Sequence, residues 1–297
     1  MSRTVYVNDS FLPEENASVW IFCRGFLFAD GVYEVTAVLD GKLVDYAGHV
    51  TRLERSLNEL KMELPISSEE LLNVHRELIK RNNLEEGAIY LQITRGAADR
   101  DFVFPKDTKQ TIVLFTQAKP LSAPKSGIRI ISAPDIRWGR RDIKTVQLLA
   151  PSMTKMIAKA EGKDDAWMVE DGFVTEGTSC NAYIVTKEGK IITRDLSTSI
   201  LHGITRAAVL KLAAEMDMEI EERAFPIKEA QQAAEAFVTA ATAFVNPVIE
   251  IDGVELSGGT PGPVVTRLSQ LYIEESRKAA MSTLCPLSAD SVVLSHL

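Results

Sequence analysis

Cysteine is scarce in this chain: Cys23, Cys180 and Cys285 are the only three among 297 residues. A low, odd number excludes a disulfide framework and reads as reduced thiols, the pattern expected of a cytosolic protein. Histidine is too thinly spread for a metal centre. His49, His75, His202 and His296 have no second His or Cys at ligand spacing. No zinc site is therefore expected, and each reads as a surface or helix-face residue. Positive charge is in deficit, with 33 Lys and Arg against 41 Asp and Glu and a net charge of -8. That excludes the basic footprint of a nucleic-acid binder. No run approaches the ~18 consecutive apolar residues of a membrane helix. The opening Met1-Ser-Arg-Thr-Val-Tyr-Val-Asn-Asp lacks the apolar core of a secretory leader and the chain shows no C-terminal prenylation box. Neither export nor membrane attachment is expected. Gly-x-Gly-x-x-Gly, Gly-x-x-x-x-Gly-Lys-Ser/Thr and Gly-x-Ser-x-Gly are all missing, which removes most nucleotide-binding enzymes and serine hydrolases.

What is present is an ordinary globular composition, 45% hydrophobic and 25% charged. The length suits about two domains. Residues 4–8 alternate like a short strand. Residues 32–39 are rich in β-branched residues, and Asp40-Gly41 signals a two-residue hairpin turn before Lys42-Leu43-Val44. The period then changes: Val50, Leu53, Leu57 and Leu60 share one helical face. Ser67 followed by acidic residues caps a second helix running to about Lys80. Residues 88–95 and 111–117 read as strands. Residues 118–124, with two prolines, are the best linker. Beyond them, strands are expected at 128–132, 166–169, 182–185, 219–224, 236–240 and 248–251, and helices at 150–161, 204–216, 227–234 and 263–280. Strands and helices do not alternate strictly, so two α+β domains are expected, at 1–117 and 125–282, with an irregular tail at 283–297.

Three segments carry candidate chemistry. In Ser199-Ile-Leu-His-Gly-Ile-Thr-Arg206 a glycine turn leads into a helix whose free N–H groups and threonine hydroxyl suit an anion; an ordinary helix cap is the plainer reading. In Val174-Thr-Glu-Gly-Thr-Ser-Cys-Asn-Ala-Tyr-Ile-Val185, Glu176 stands between an apparent turn and a strand, placed to hold a ring nitrogen protonated or simply to face solvent. In Arg140-Arg-Asp-Ile-Lys-Thr-Val-Gln-Leu-Leu-Ala150, Lys144 sits among apolar residues near two arginines. That setting suits an amine that must be neutral to attack a carbonyl, although an exposed lysine before a helix reads the same way.

Taken together and in order, these segments resemble one family. Arg24-Gly-Phe-Leu-Phe-Ala-Asp-Gly-Val-Tyr-Glu34, His49-Val-Thr-Arg-Leu53, Ile93-Thr-Arg-Gly96, Ile143-Lys144, Thr175-Glu-Gly177, Ile200-Leu-x-Gly-Ile-Thr-Arg206 and Thr239-Ala-Ala-Thr with Asn246-Pro247 are similar to the motifs of class IV (fold-type IV) pyridoxal-phosphate aminotransferases, across about residues 3–280. The resemblance implies a two-domain α+β fold, with a smaller N-terminal domain and a larger pseudo-barrel C-terminal domain, and pyridoxal 5'-phosphate as cofactor. It implies that Lys144 is the Schiff-base lysine and the base for the substrate α-proton. Arg52 would grip the cofactor phosphate with Ile204, Thr205 and Thr242, Glu176 would pair with the ring nitrogen, and Leu201 would pack on the ring face. A homodimer is also implied, in which a loop of one subunit closes the other's site. The apolar run Val19-Trp20-Ile21-Phe22 reads as either interface or core.

On the substrate side, Thr94-Arg-Gly-Ala-Ala-Asp-Arg-Asp-Phe-Val-Phe-Pro105 resembles the D-amino-acid transaminases. Arg100 matches their carboxylate-binding arginine, and Tyr33 would complete the clamp. Phe102 stands where those enzymes have a histidine, which removes one donor and points toward wider tolerance of apolar side chains or simple amines. Branched-chain enzymes lack this arginine and have a tyrosine where this chain has Leu149. The expected reaction is amino-group transfer between a D-amino acid and a 2-oxo acid. Branched-chain or (R)-amine transamination and an aminodeoxychorismate-type elimination are the alternatives.

Overall fold

The computed structural model describes residues 2–123 and 125–282. The expected irregular tail at 283–297 lies outside the described residues.

Two sheets organise the chain. The first has six strands in the order β2-β1-β6-β5-β3-β4, all antiparallel: β1 (Thr4–Val7), β2 (Ser10–Pro13), β3 (Gly31–Leu39), β4 (Lys42–Leu43), β5 (Gly87–Thr94) and β6 (Thr111–Ala118). The Asp40-Gly41 hairpin forms as expected. Both residues have positive φ, 51° and 70°, the left-handed pair a two-residue turn requires. A short helix α1 (Arg24–Phe28) precedes β3; the sequence pattern had not signalled it. Helices α2 (Tyr46–Glu59) and α3 (Ser68–Arg81) cover one face of the sheet. Ser67 caps α3, its hydroxyl accepting from Glu70 N at 3.1 Å.

The second sheet has nine strands and mixed direction. Its path is β12-β11-β10-β13-β14-β7-β8-β9, with β15 paired to β14. The strands are β7 (Ile128–Pro134), β8 (Asp165–Glu170), β9 (Phe173–Gly177), β10 (Asn181–Val185), β11 (Ile191–Thr193), β12 (Ile220–Glu222), β13 (Glu235–Ala240), β14 (Phe244–Ile251) and β15 (Val254–Glu255). The sheet curls until its β9 edge meets β10, where Gly177 N donates to Cys180 O at 2.8 Å. Helices α4 (Leu149–Ala160), α5 (Ile204–Glu215), α6 (Ile227–Gln232) and α7 (Pro263–Ser282) complete the fold.

The two sheets share a core. Val32 and Val38 of β3 pack toward α2 and α3, whereas Ala37 and Leu39 of the same strand pack with Tyr183, Phe237, Phe244, Leu268 and Tyr272. With both faces covered, β3 loses the polar-apolar alternation of a half-exposed strand. The segment between the sheets is pinned rather than loose: Leu121 is fully buried, and Glu86 accepts from Leu121 N and Ser122 N at 2.8 and 2.5 Å. Val19, Trp20, Ile21 and Phe22 are exposed in the single chain and take no part in its core.

Candidate active site

One cavity of about 200 Å3 lies where the two sheets meet, and it gathers most of the residues singled out from the sequence. Tyr33, Arg52, Lys144, Glu176, Leu201, Ile204, Thr205 and Thr242 all line it.

Lys144 sits in the loop between β7 and α4, held through its main chain. Its N–H donates to Ser56 Oγ of α2 at 3.3 Å, and its carbonyl accepts from Tyr33 N of β3 at 3.0 Å. The side-chain Nζ stands 4.1 Å from the centre of the Tyr33 ring. The charged flanks of the loop are bound on both sides. Asp142 receives Arg55 Nη2 at 2.5 Å, and Arg141 grips both oxygens of Glu170 at 2.7 and 2.6 Å.

On the cavity wall Arg52 is fixed by Glu34, a residue given no role from the sequence alone. Arg52 Nε and Nη2 donate to the two carboxylate oxygens, each at 2.7 Å, and His49 Nδ1 lies 2.8 Å from Oε2. Burial alone would raise the Glu34 carboxyl; Arg52 and His49 outweigh it and hold the group well below the usual carboxylate range. Arg52 Nη1 also reaches His202 O at 3.0 Å. Beside it, α5 begins after Gly203 with no side-chain cap, so its first N–H groups point out of the helix beside the buried Thr205. Arginine, helix start and hydroxyl make an anion site. Gly203 is needed there, because a Cβ would lie 2.0 Å from Asn181 Oδ1.

Glu176 lines the same cavity. It lies inside β9, not at a turn, and is 4% exposed, so the reading as a solvated turn residue is corrected. Its carboxylate accepts from Arg137 Nη1 at 2.5 Å, Asn181 Nδ2 at 2.9 Å and Leu201 N at 3.2 Å. Burial pushes its pKa up, and Arg137 and the Leu201 N–H oppose that rise.

Arg100 does not line this cavity. Its guanidinium lies 5.3 Å from the Phe28 ring centre and 5.6 Å from that of Phe102, itself 78% exposed. Of the two readings given for His49 and His75, the helix-face one holds: both are buried on helix faces, His75 with Nδ1 2.7 Å from Leu71 O.

Sequence reasoning missed Glu34, Asp135, Arg137 and Asn181. Glu34 carried a usable signal, a lone carboxylate inside an apolar strand, because such a group is buried only with partners. Asp135 and Arg137 carried none, since they follow a strand end where charged residues are commonplace.

Comparison with known proteins gives the family of the chain. The sequence pattern described as amino-transferase class IV matches residues 31–251. The chain is 36% identical over 276 residues to the D-alanine aminotransferase of Staphylococcus haemolyticus, covering 91% of this chain and 98% of that protein. It is 38% identical over 280 residues to the D-alanine aminotransferase of Bacillus licheniformis, covering 92% and 99%. Among solved structures, the branched-chain amino acid aminotransferase of T.th., complexed with N-(5'-phosphopyridoxyl)-L-glutamate, superposes with a TM-score of 0.85 at 26% identity, covering 94% of this chain and 95% of that one. The branched-chain aminotransferase of Thermoproteus uzoniensis has the same fold, with a TM-score of 0.85 at 24% identity, covering 96% and 98%. The chain belongs to the class IV aminotransferases.

Proposed function

We propose that the chain is a pyridoxal 5'-phosphate-dependent transaminase that moves an amino group between a D-amino acid and a 2-oxo acid. The observation that carries this reading is the convergence of Lys144, the Arg52–α5 anion site and the buried Glu176 on one cavity, in a chain similar to D-alanine aminotransferases over nearly its whole length.

The residues present fit the cofactor. Arg52 and the N–H groups of Ile204 and Thr205, with Thr242, would hold its phosphate, and the close approach permitted at Gly203 leaves room for it. Leu201 would lie against the ring, and Glu176 would accept from the ring nitrogen. When bound, the cofactor supplies an electron sink for the charge left on the substrate α-carbon. Lys144 Nζ would anchor it and would move the proton taken from the substrate α-carbon, first as general base and then as general acid, without giving it back to that carbon. The main-chain bonds of Lys144 to Ser56 and Tyr33 fix the origin of that side chain, so the proton moves along one short arc.

Arg100 and Tyr33 are proposed as the substrate carboxylate clamp. Since Arg100 lies outside the cavity of its own chain, the clamp requires a second copy that brings this loop across. We therefore propose a homodimer, for which the exposed Val19, Trp20, Ile21 and Phe22 are the apolar surface on offer. The two sheets are proposed as domains with 118–124 as their connection. A cytoplasmic location is proposed from the pattern of few, unpaired cysteines.

The test compares wild type and Arg100→Ala with D-alanine, D-glutamate, L-leucine and (R)-1-phenylethylamine against 2-oxoglutarate or pyruvate, with light scattering for the dimer. Loss of a charge-assisted bond of roughly 1.5–3 kcal/mol predicts a fall in kcat/KM of about tenfold to a hundredfold for the D-amino acids, with cofactor content unchanged. L-leucine as best substrate with an unaffected Arg100→Ala rate refutes the D-amino-acid reading. Turnover without any 2-oxo acid identifies a lyase.

A further inference from the structure

The Glu176 carboxylate is part of a shared ion cluster. Arg137 gives only one N–H group, Nη1, to Glu176 at 2.5 Å, while its Nε and Nη2 donate to Asp135 at 3.0 and 2.7 Å. The side chain of Asp135 is fully buried, and the Thr175 hydroxyl lies 2.7 Å from its Oδ2. One guanidinium thus serves two buried carboxylates. The neighbouring Arg141 does not restore the balance, because Nη1 and Nη2 are taken by Glu170; its Nε is 3.6 Å from Asp135 and has no hydrogen-bond partner. Glu170 is part-exposed and also faces Arg194, so the two buried carboxylates, Asp135 and Glu176, share Arg137 as their one hydrogen-bonded guanidinium. Cys180 and Tyr183, whose ionisation Glu176 opposes, are kept neutral chiefly by burial. On the rest of the cavity wall the cations are Arg52, matched by Glu34, and Lys144 beside Tyr33.

We infer that Arg137 and Asp135 are positioning residues with opposed roles: Arg137 keeps Glu176 an anion, and Asp135, by taking two of the three donating nitrogens of that guanidinium, leaves Glu176 only partly compensated and so able to hold the protonated ring nitrogen of the cofactor. This rests on the function proposed above. If Arg137 served Glu176 alone, the pair would be neutral and would have little hold on a ring proton. Asp135 prevents that by taking two of the three donating groups. If Arg137 were absent, two buried carboxylates would lie close together with no guanidinium between them, and Glu176 would take up a proton of its own. It would then offer a donor where an acceptor is needed. Every polar neighbour of Glu176 is a hydrogen-bond donor, from Arg137, Asn181 and Leu201, which only the ionised form satisfies.

Two measurements test the inference, with circular dichroism as a check on folding. In the cofactor-free protein, carboxyl-labelled glutamate is titrated by 13C NMR, with Glu176→Gln assigning the signal. Arg137→Met should raise the Glu176 midpoint by roughly two units, and Arg137→Lys, which keeps the charge but not the fork, by less. In the loaded protein, 15N in the cofactor ring reports its proton directly. Asp135→Asn should lower the midpoint for loss of that proton by about one unit or more. An unchanged Glu176 midpoint in Arg137→Met, or an unchanged ring-nitrogen midpoint in Asp135→Asn, overturns the inference. A wild-type chain that takes up no cofactor refutes the proposed function instead, and the cofactor-free titration still decides the role of Arg137.

Discussion

Replacing Glu34 by glutamine should destabilise the cofactor-free protein by about 3 kcal/mol, and a phosphate-bearing ligand should recover much of that loss. Glu34 binds Arg52 through both oxygens at 2.7 Å and lies within 2.8 Å of His49, and the arginine is only 8% exposed. Removing one member of a buried ion pair costs about 3–5 kcal/mol, because the other charge is left without a counterion. Glutamine keeps the shape and one acceptor for Arg52 Nε, which places the effect at the lower end. For a chain of 297 residues, with an unfolding entropy of about 0.6 kcal/mol/K, that corresponds to a Tm lower by roughly 5 °C. Arg52 also lines the cavity, so a bound phosphate group can neutralise it in place of Glu34. The difference between the proteins should therefore shrink when pyridoxal 5'-phosphate is added. The sign with pH follows from the lowered Glu34 carboxyl. A carboxylate depressed on folding contributes fully above the unfolded value of about 4.3 and loses that contribution as pH falls toward the folded value. The gap should thus close in acid. Urea unfolding followed by tryptophan fluorescence, with and without the ligand, measures all three effects. Stabilities within about 1 kcal/mol of each other without ligand would refute the buried-pair argument, and a gap that ligand leaves unchanged would refute the placement of Arg52 at the phosphate.

Lys144→Ala should abolish transamination and borohydride-dependent labelling while leaving the unfolding curve within about 1 kcal/mol of wild type, because the polar contacts of Lys144 that hold the loop are made by its main chain. Gly203→Ala should weaken cofactor binding, read by equilibrium dialysis, since the added Cβ meets Asn181 Oδ1 at 2.0 Å and the overpacking costs roughly 1–3 kcal/mol. His75 is buried with its pKa lowered from 6.5 to about 4, so the unfolded state binds the extra proton between those values. Stability should fall by about 3 kcal/mol as pH drops through that window, and His75→Leu should flatten this part of the curve in urea titrations at each pH.

The parts legible in the sequence were those with local causes. The Asp40-Gly41 turn, the Ser67 cap and the 3.6-residue period of α2 each follow from a few neighbouring residues, and each formed. β9 was not read as a strand around Glu176 because its burial comes from β8 and the curl of the sheet toward β10, neither of which leaves a trace in Phe173–Gly177 itself. Arg52, Lys144 and Glu176 are expected at one site only through the order of the family motifs, since Lys144 and Glu176 each read equally well as solvated surface on their own segments. The supporting shell escaped for the same reason: the Glu34–Arg52 bond spans 18 residues and the Arg137–Glu176 bond 39, so no local pattern joins them.

The position of Lys144 shows why such long-range contacts matter for catalysis. The loop that carries it has neither helix nor strand of its own at residues 140–144. Its shape comes from outside. α2 contributes Arg55, Ser56 and Glu59, bound to Asp142, Lys144 and Arg140; β3 contributes Tyr33 N and the bridge from Val32 to Thr145; and the second sheet contributes Glu170 to Arg141. Neither layer alone supplies all of these. Separating the two sheets would remove the main-chain partners of Lys144 on one side, or the Arg141 anchor and Glu176 on the other. Binding of the cofactor as proposed, to Arg52 of the first layer and Glu176 of the second, would therefore act across the same junction. A ligand that binds only when both are in place stabilises the junction by mass action. In the proposed reaction the lysine would thus be held ready by the contact that the cofactor strengthens.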